Sequence, residues 1–231
     1  MAHPLDGAFD RVDRAEEHLV DLKRRISEWS VAYRNTALAD FNSRGSDEPL
    51  RGPQLHTVPS IFSILLGEIC YNLRAALDYL IYELAREDSG IDQDGTQFPI
   101  EDTPEGFQAR IDRGSLYGLN PDHVTAIEAL QPYHGQPWLK IFRGISNRDK
   151  HRFIVAIGSE AREIVYVSAN PDLIPGITVQ QTRWDERTTV EMKFQFLISI
   201  RLRDGTSIPD AIEEFPLRVR DYLTQFQPEF Q

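Results

Sequence analysis

Residues 60–86, SIFSILLGEICYNLRAALDYLIYELAR, read as one helix that is apolar over a wide arc carrying Phe62, Leu65, Leu66, Ile69, Cys70, Leu73, Leu77, Leu80 and Leu84. Such a helix cannot rest on a surface with a single stripe turned inward. It has to be surrounded, so the chain is expected to build a helical core around it. The first partner comes from residues 5–41, where Leu5, Phe9, Val12, Leu19, Leu22, Ile26, Trp29 and Tyr33 recur at spacings of three, four or seven with no Pro or Gly after Gly7. Between these two helices, residues 42–59 carry Gly45, Pro49, Gly52, Pro53 and Pro59 and read as a loop.

Three shorter helices are predicted next. Thr103-Pro104-Glu105 and Asn120-Pro121-Asp122 each place a capping side chain before Pro at the first helical position and an acid in the first turn, which predicts helices over 104–113 and 121–130. Leu139, Phe142 and Ile145 give helical spacing through 138–150. The stretch from 87 to 105 is dominated by Glu87, Asp88, Asp92, Asp94, Glu101, Asp102 and Glu105, and reads as a solvated acidic loop.

After His151 the period changes. FIVAIG, EIVYVSA, GITVQQTRW and VEMKFQFLISIRL are rich in β-branched and aromatic residues, alternating most clearly at Met192, Phe194, Phe196, Ile198 and Ile200. They predict four antiparallel strands, followed by an amphipathic helix over 209–226 that Pro216 interrupts early. The expected fold class is α+β: an antiparallel helical bundle over 1–151, then over 152–231 a small antiparallel β-sheet and a C-terminal helix packed on the bundle.

Composition narrows the function classes. A net charge of −11 disfavours non-specific attraction to nucleic acid. The single cysteine, Cys70, excludes an internal disulfide and a thiolate zinc site. The acidic N-terminal stretch has no signal-peptide pattern, and uninterrupted apolar runs of about five residues fall short of the roughly 18 to 20 a bilayer crossing needs. A cytoplasmic protein without membrane contact is expected. GxxxxGK[ST], GxGxxG, HExxH and GxSxG do not occur, so phosphate-loop, dinucleotide, zincin and hydrolase-elbow chemistries lack their marks. No metal and no cofactor is expected.

One segment stands out against the acidic background. In LKIFRGISNRDKHRF, the cations Lys140, Arg143, Arg148, Lys150 and Arg152 face only Asp149. Arg143, Asn147 and His151 follow at i, i+4 and i+8 and so share one helical stripe, with Lys140 a turn earlier. A cation, an amide and an imidazole suit work on a phosphodiester, the His taking a proton from a 2′-hydroxyl and the Arg holding phosphate oxygens. The competing reading is that these cations favour a helix C-terminus and pair with acids elsewhere. On the central helix, Arg74 and Asp78 form an i, i+4 pair, and Glu68 and Asn72 another on a different face. Asn72, Arg74 and Asp78 are read as a polar network tying that helix to its neighbours, since a buried charge has to be paired; the alternative is that Asn72 or Arg74 faces the basic stripe across a groove.

CYNLRAALDYLIYEL, TQFPI, ALQPYHG and ISNRDKHRF, in this order over residues 60–155, resemble an uncharacterised bacterial family marked by an NLRxALDxL helix, an FPI loop, a QPY turn and an NxxDKHR-like ending. The helical part in turn resembles HEPN domains. That resemblance implies an up-and-down bundle that dimerises and, in some members, a metal-independent ribonuclease of toxin or phage-defence systems. The HEPN ribonuclease mark sets four to six residues between Arg and His, with a polar residue after the Arg. Here seven residues separate Arg143 from His151, two separate Arg148 from His151, and Gly144 follows Arg143.

Two functions are therefore expected as alternatives. The first is a HEPN-like RNA-binding protein or metal-independent ribonuclease, with His151 as general base, Arg143 as phosphate clamp, and Lys140, Asn147, Arg148 and Lys150 binding substrate. The second is a non-catalytic homodimeric interaction module with a protein partner, in which NRDKHR is a structural corner.

Overall fold

The computed structural model describes residues 3–43, 59–150 and 208–230 and five strands within 158–201; for residues 33, 34, 37–43, 147–150, 208–211 and the strands it describes the backbone path. Six α-helices are present among the described residues: α1 Asp6–Ser43, α2 Ser60–Ser89, α3 Pro104–Asp112, α4 Pro121–Ala129, α5 Pro137–Lys150 and α6 Ile208–Phe226. The chain divides into two compact units. One comprises Met1–Lys23, Ser60–Ala156 and Ile208–Gln231, the other Arg24–Pro59 and Ile157–Ser207.

The first unit is a helical bundle. Along α1, Gly7 and Arg11 meet Tyr79, Arg11 also bonds Asn72, and His18 meets Glu68, so rising numbers on α1 match falling numbers on α2. The two helices are antiparallel. Against α6 the order also runs backwards, from Asp13 and Glu16 on Arg220 to Lys23 on Glu213. Trp138 at the start of α5 meets Tyr222, while Phe142 a turn later meets Phe215, so α5 and α6 are antiparallel too. The directions of α1, α2, α5 and α6 thus alternate in chain order, as in an up-and-down bundle.

α2 is the centre, as its apolar arc predicts. Leu66, Ile69, Leu73, Leu77, Leu80 and Leu84 have no exposed surface. By length and mean hydropathy α2 would suit a membrane crossing, which a count of uninterrupted apolar residues misses because Glu68, Asn72 and Arg74 break the run; in the structure 56% of its most apolar window is buried among the other helices.

The C-terminal helix belongs with the bundle rather than with the strands that precede it in sequence. Ile212, Phe215, Val219, Leu223 and Phe226 on α6 are buried, and Trp138 of α5 packs on Phe215 and Tyr222. This packing also carries α6 through Pro216 without a break. A proline ring removes one backbone bond, and the buried residues on either side hold the helix across that loss. Within the aromatic cluster, burial pushes the Tyr222 hydroxyl up to about 12, so it stays protonated at neutral pH.

In the second unit the strands are short and pair antiparallel. Gly158–Ala161 (β1) pairs with Ile198–Arg201 (β5), and Glu191–Phe194 (β4) lies between Val165–Val167 (β2) and Thr178–Gln180 (β3). The stretch 190–202, read from its alternation as one strand, supplies β4 and β5 to two different ladders. Alternation records which face each residue takes, and it continues through a change of partner.

Candidate functional site

Both predicted caps form, and they fix where the polar groups of the bundle lie. Thr103 Oγ1 accepts the Gly106 N–H at 3.2 Å at the start of α3, and Asn120 Oδ1 accepts the His123 N–H at 2.8 Å at the start of α4. The segment between α2 and α3, read from its acids as solvated, is instead buried at Phe98, Pro99 and Ile100. The reading fails there because three apolar residues carry no periodicity, while the acids on either side set the local composition.

An extended segment placed in a core has to find partners for its backbone groups. Gln97 N donates to Ser115 O at 2.9 Å. Phe98 N donates to Asp78 Oδ1 at 2.9 Å, and Arg74 Nη2 donates to Phe98 O at 2.5 Å. Arg143 Nη1 donates to Ile100 O at 2.7 Å. Glu101 N donates to Oε1 of the fully buried Gln131 at 3.0 Å, and Gln131 Nε2 donates to Ile127 O at 3.1 Å. NLRAALD, FPI, QPY and Arg143 of the basic stripe thus converge by hydrogen bonds on one segment.

Of the network expected on α2, Arg74 and Asp78 come together, at 3.1 Å between Nη2 and Oδ1. Asn72 stands apart from them. Its Nδ2 donates to Glu68 O at 2.9 Å and its Oδ1 accepts from Arg11 of α1 at 3.2 Å, while the Glu68 carboxylate turns to His18. Helical spacing places residues on a face, and it does not say which neighbour occupies that face.

The same limit applies to the basic stripe. Arg143 has both terminal nitrogens engaged, Nη1 on Ile100 O and Nη2 on Asp102 Oδ2 at 2.6 Å, with Glu101 Oε2 3.7 Å from Nη1. Lys140 is exposed, with Nζ 3.9 Å from Asp102 Oδ2. Asn147, Arg148 and Lys150 lie in the last turn of α5, where the backbone alone is described; His151 and Arg152 lie outside the described residues.

No protein-family model, curated protein or solved structure matches this chain. The function has to be argued from its own geometry.

One polar constellation was not singled out by the sequence reading. Asp88 at the end of α2 accepts from Asn120 N at 2.8 Å and from Asn120 Nδ2 at 2.7 Å, and lies 2.7 Å from His123 Nδ1. A His–carboxylate pair of this kind could orient an imidazole for proton transfer. Its other nitrogen, however, lies 3.5 Å from Glu229 Oε2, and the ring packs edge-on against Phe226. The pair ties α2, α4 and the C-terminal turn together. Its one sequence signal is the Asn-Pro-Asp-His start of α4, which marks a cap and leaves Asp88 unlinked. Among the described residues, no group of three or more His, Cys, Asp or Glu could hold a metal ion.

Proposed function

We propose that this chain is a non-catalytic, homodimeric interaction module: an α+β protein made of a HEPN-like bundle and a small antiparallel sheet, acting in the cytoplasm with a protein partner. The observation that carries this reading is the state of Arg143, whose two terminal nitrogens hold Ile100 O and Asp102. To clamp a phosphate, Arg143 would have to release a carboxylate and leave a buried segment without its tie. Pairing of two copies is supported by Ile64 and Tyr71, seven residues apart on α2 and 50% and 61% exposed.

A second reading, RNA binding or metal-independent RNA cleavage, is supported by the concentration of Lys140, Arg143, Arg148, Lys150 and Arg152 in an acidic chain. In it His151 is the base and Asn147 and Lys150 position the phosphate.

Incubation with labelled single-stranded RNA in EDTA, combined with light scattering, separates the two. The module reading expects no cleavage, twice the 26.5 kDa chain mass, and a lower Tm with unchanged mass for His151→Ala. Cleavage that survives EDTA, rises through about pH 6 to 7 and falls by about 10² to 10⁴ in His151→Ala would establish the ribonuclease instead. A 26.5 kDa mass at every concentration would remove the dimer.

A further inference from the structure

Beneath the Phe98–Ile100 segment, between α2, α3 and α5, lies a pocket of about 90 Å³. Arg74, Arg110 and Arg143 line it from those three helices, together with Ser115 and Ser146, and no carboxylate is in its lining. Phe98 and Phe142 supply apolar wall. The acids that offset the three arginines, Asp78, Glu101 and Asp102, lie outside that lining. Inside a protein of net charge −11, every charged side chain in the lining is therefore a cation, beside the Gln97 amide and two hydroxyls.

Its donors are not all used. A guanidinium carries five N–H groups. Arg110 bonds Glu101 through Nε at 2.7 Å, and its Nη1 and Nη2 have no hydrogen-bond partner among the described residues. The side chains of Ser115 and Ser146 likewise make no hydrogen bond among the described residues, although the two residues are only 7% and 5% exposed. Both residues line the pocket, so their hydroxyls are free to donate to a molecule held there.

We propose that this pocket binds a phosphoryl oxyanion, either free phosphate or the terminal phosphate of a small ester. A cation is repelled by three guanidiniums. A planar carboxylate needs a single guanidinium fork, whereas a tetrahedral oxyanion has oxygens for Arg110 Nη1 and Nη2 and for the hydroxyls of Ser115 and Ser146, while Arg74 and Arg143 keep their bonds to the Phe98–Ile100 segment and act through their charge. One water takes about 10–15 Å³, so the pocket holds a few waters or one phosphoryl group in their place. The body of an ester would leave past the exposed Gln97 and the half-buried Arg110. This inference does not rest on the proposed function, because an anion held by Arg110 and the two serines leaves Arg143 on Ile100 O and Asp102 and touches neither Ile64 and Tyr71 nor His151.

Isothermal titration of the full chain with inorganic phosphate, against sodium chloride of equal ionic strength, tests it. Binding in the wild type should weaken about tenfold or more in Arg110→Gln, which loses two charge-assisted donors at a position 40% exposed and so should still fold. Ser146→Ala, with no charge changed, should weaken it less but measurably. Arg218→Gln, which alters an exposed pair with Glu214 on α6, should leave it unchanged. Adenosine monophosphate as a second probe separates the sources: tighter binding than phosphate marks an ester, weaker binding the free anion. Absence of phosphate binding in the wild type, or equal binding by wild type, Arg110→Gln and Ser146→Ala, would overturn the proposal.

Discussion

Phe98→Ala is expected to lower the unfolding free energy by about 3–5 kcal/mol, a cost at the upper end for a single core side chain. Phe98 has no exposed surface and stacks on Tyr222 of α6 with ring centroids 6.3 Å apart. A deleted side chain costs least where its surroundings can collapse into the gap. Here they cannot, because the Phe98 N–H is held by Asp78 and its carbonyl by Arg74, so the backbone stays where it is and the cavity stays open. Phe98→Leu refills most of the volume and should cost about 1–1.5 kcal/mol. Urea unfolding followed by circular dichroism measures both. A loss below about 1 kcal/mol for the alanine variant would mean that the segment lies on the surface, as the acids around it suggest.

That segment shows where a sequence reading stops. The apolar arc of α2 is long enough for period alone to identify a central helix, and Leu73, Leu77 and Leu80 are buried accordingly. The caps at Thr103 and Asn120 follow from local chemistry, and they form as expected. Phe98, Pro99 and Ile100 give no period, and their burial is decided by Asp78, Arg74 and Arg143, at distances in the chain that no local rule spans. The same separation hides Arg143: spacing sets it on one stripe with Asn147 and His151, yet Ile100 and Asp102, some forty residues earlier, take up its two nitrogens. Periodicity reports which face of an element is polar, and long-range pairing decides what that polarity does. By the same logic, the order NLRxALD, FPI, QPY reads better as the parts list of one clamp than as the mark of a catalytic site, since Arg74, Asp78 and Gln131 all end on the backbone of residues 98–101.

The clamp makes Asp78→Ala the second large effect, at about 3–5 kcal/mol. Asp78 supports two groups together, the Arg74 guanidinium at 3.1 Å and the Phe98 N–H at 2.9 Å, and the Arg74 and Asp78 side chains are 15% and 26% exposed. Deleting the carboxylate leaves a mostly buried cation and a buried amide unpaired at once, and that residual penalty, more than the attraction lost, sets the size of the effect. Asp78→Asn keeps an acceptor for the amide and should cost less than the alanine change. Arg74→Met with Asp78→Leu removes both charges and fills the volume, so the double variant should be more stable than Asp78→Ala, even though the Phe98 N–H and carbonyl both lose their partners. A thermodynamic cycle through Arg74→Ala, Asp78→Ala and the double alanine variant is expected to give a coupling of about 1–3 kcal/mol. A coupling near zero, with Asp78→Ala costing no more than an exposed i, i+4 pair at about 0.3–0.5 kcal/mol, would show that the pair does not hold the segment.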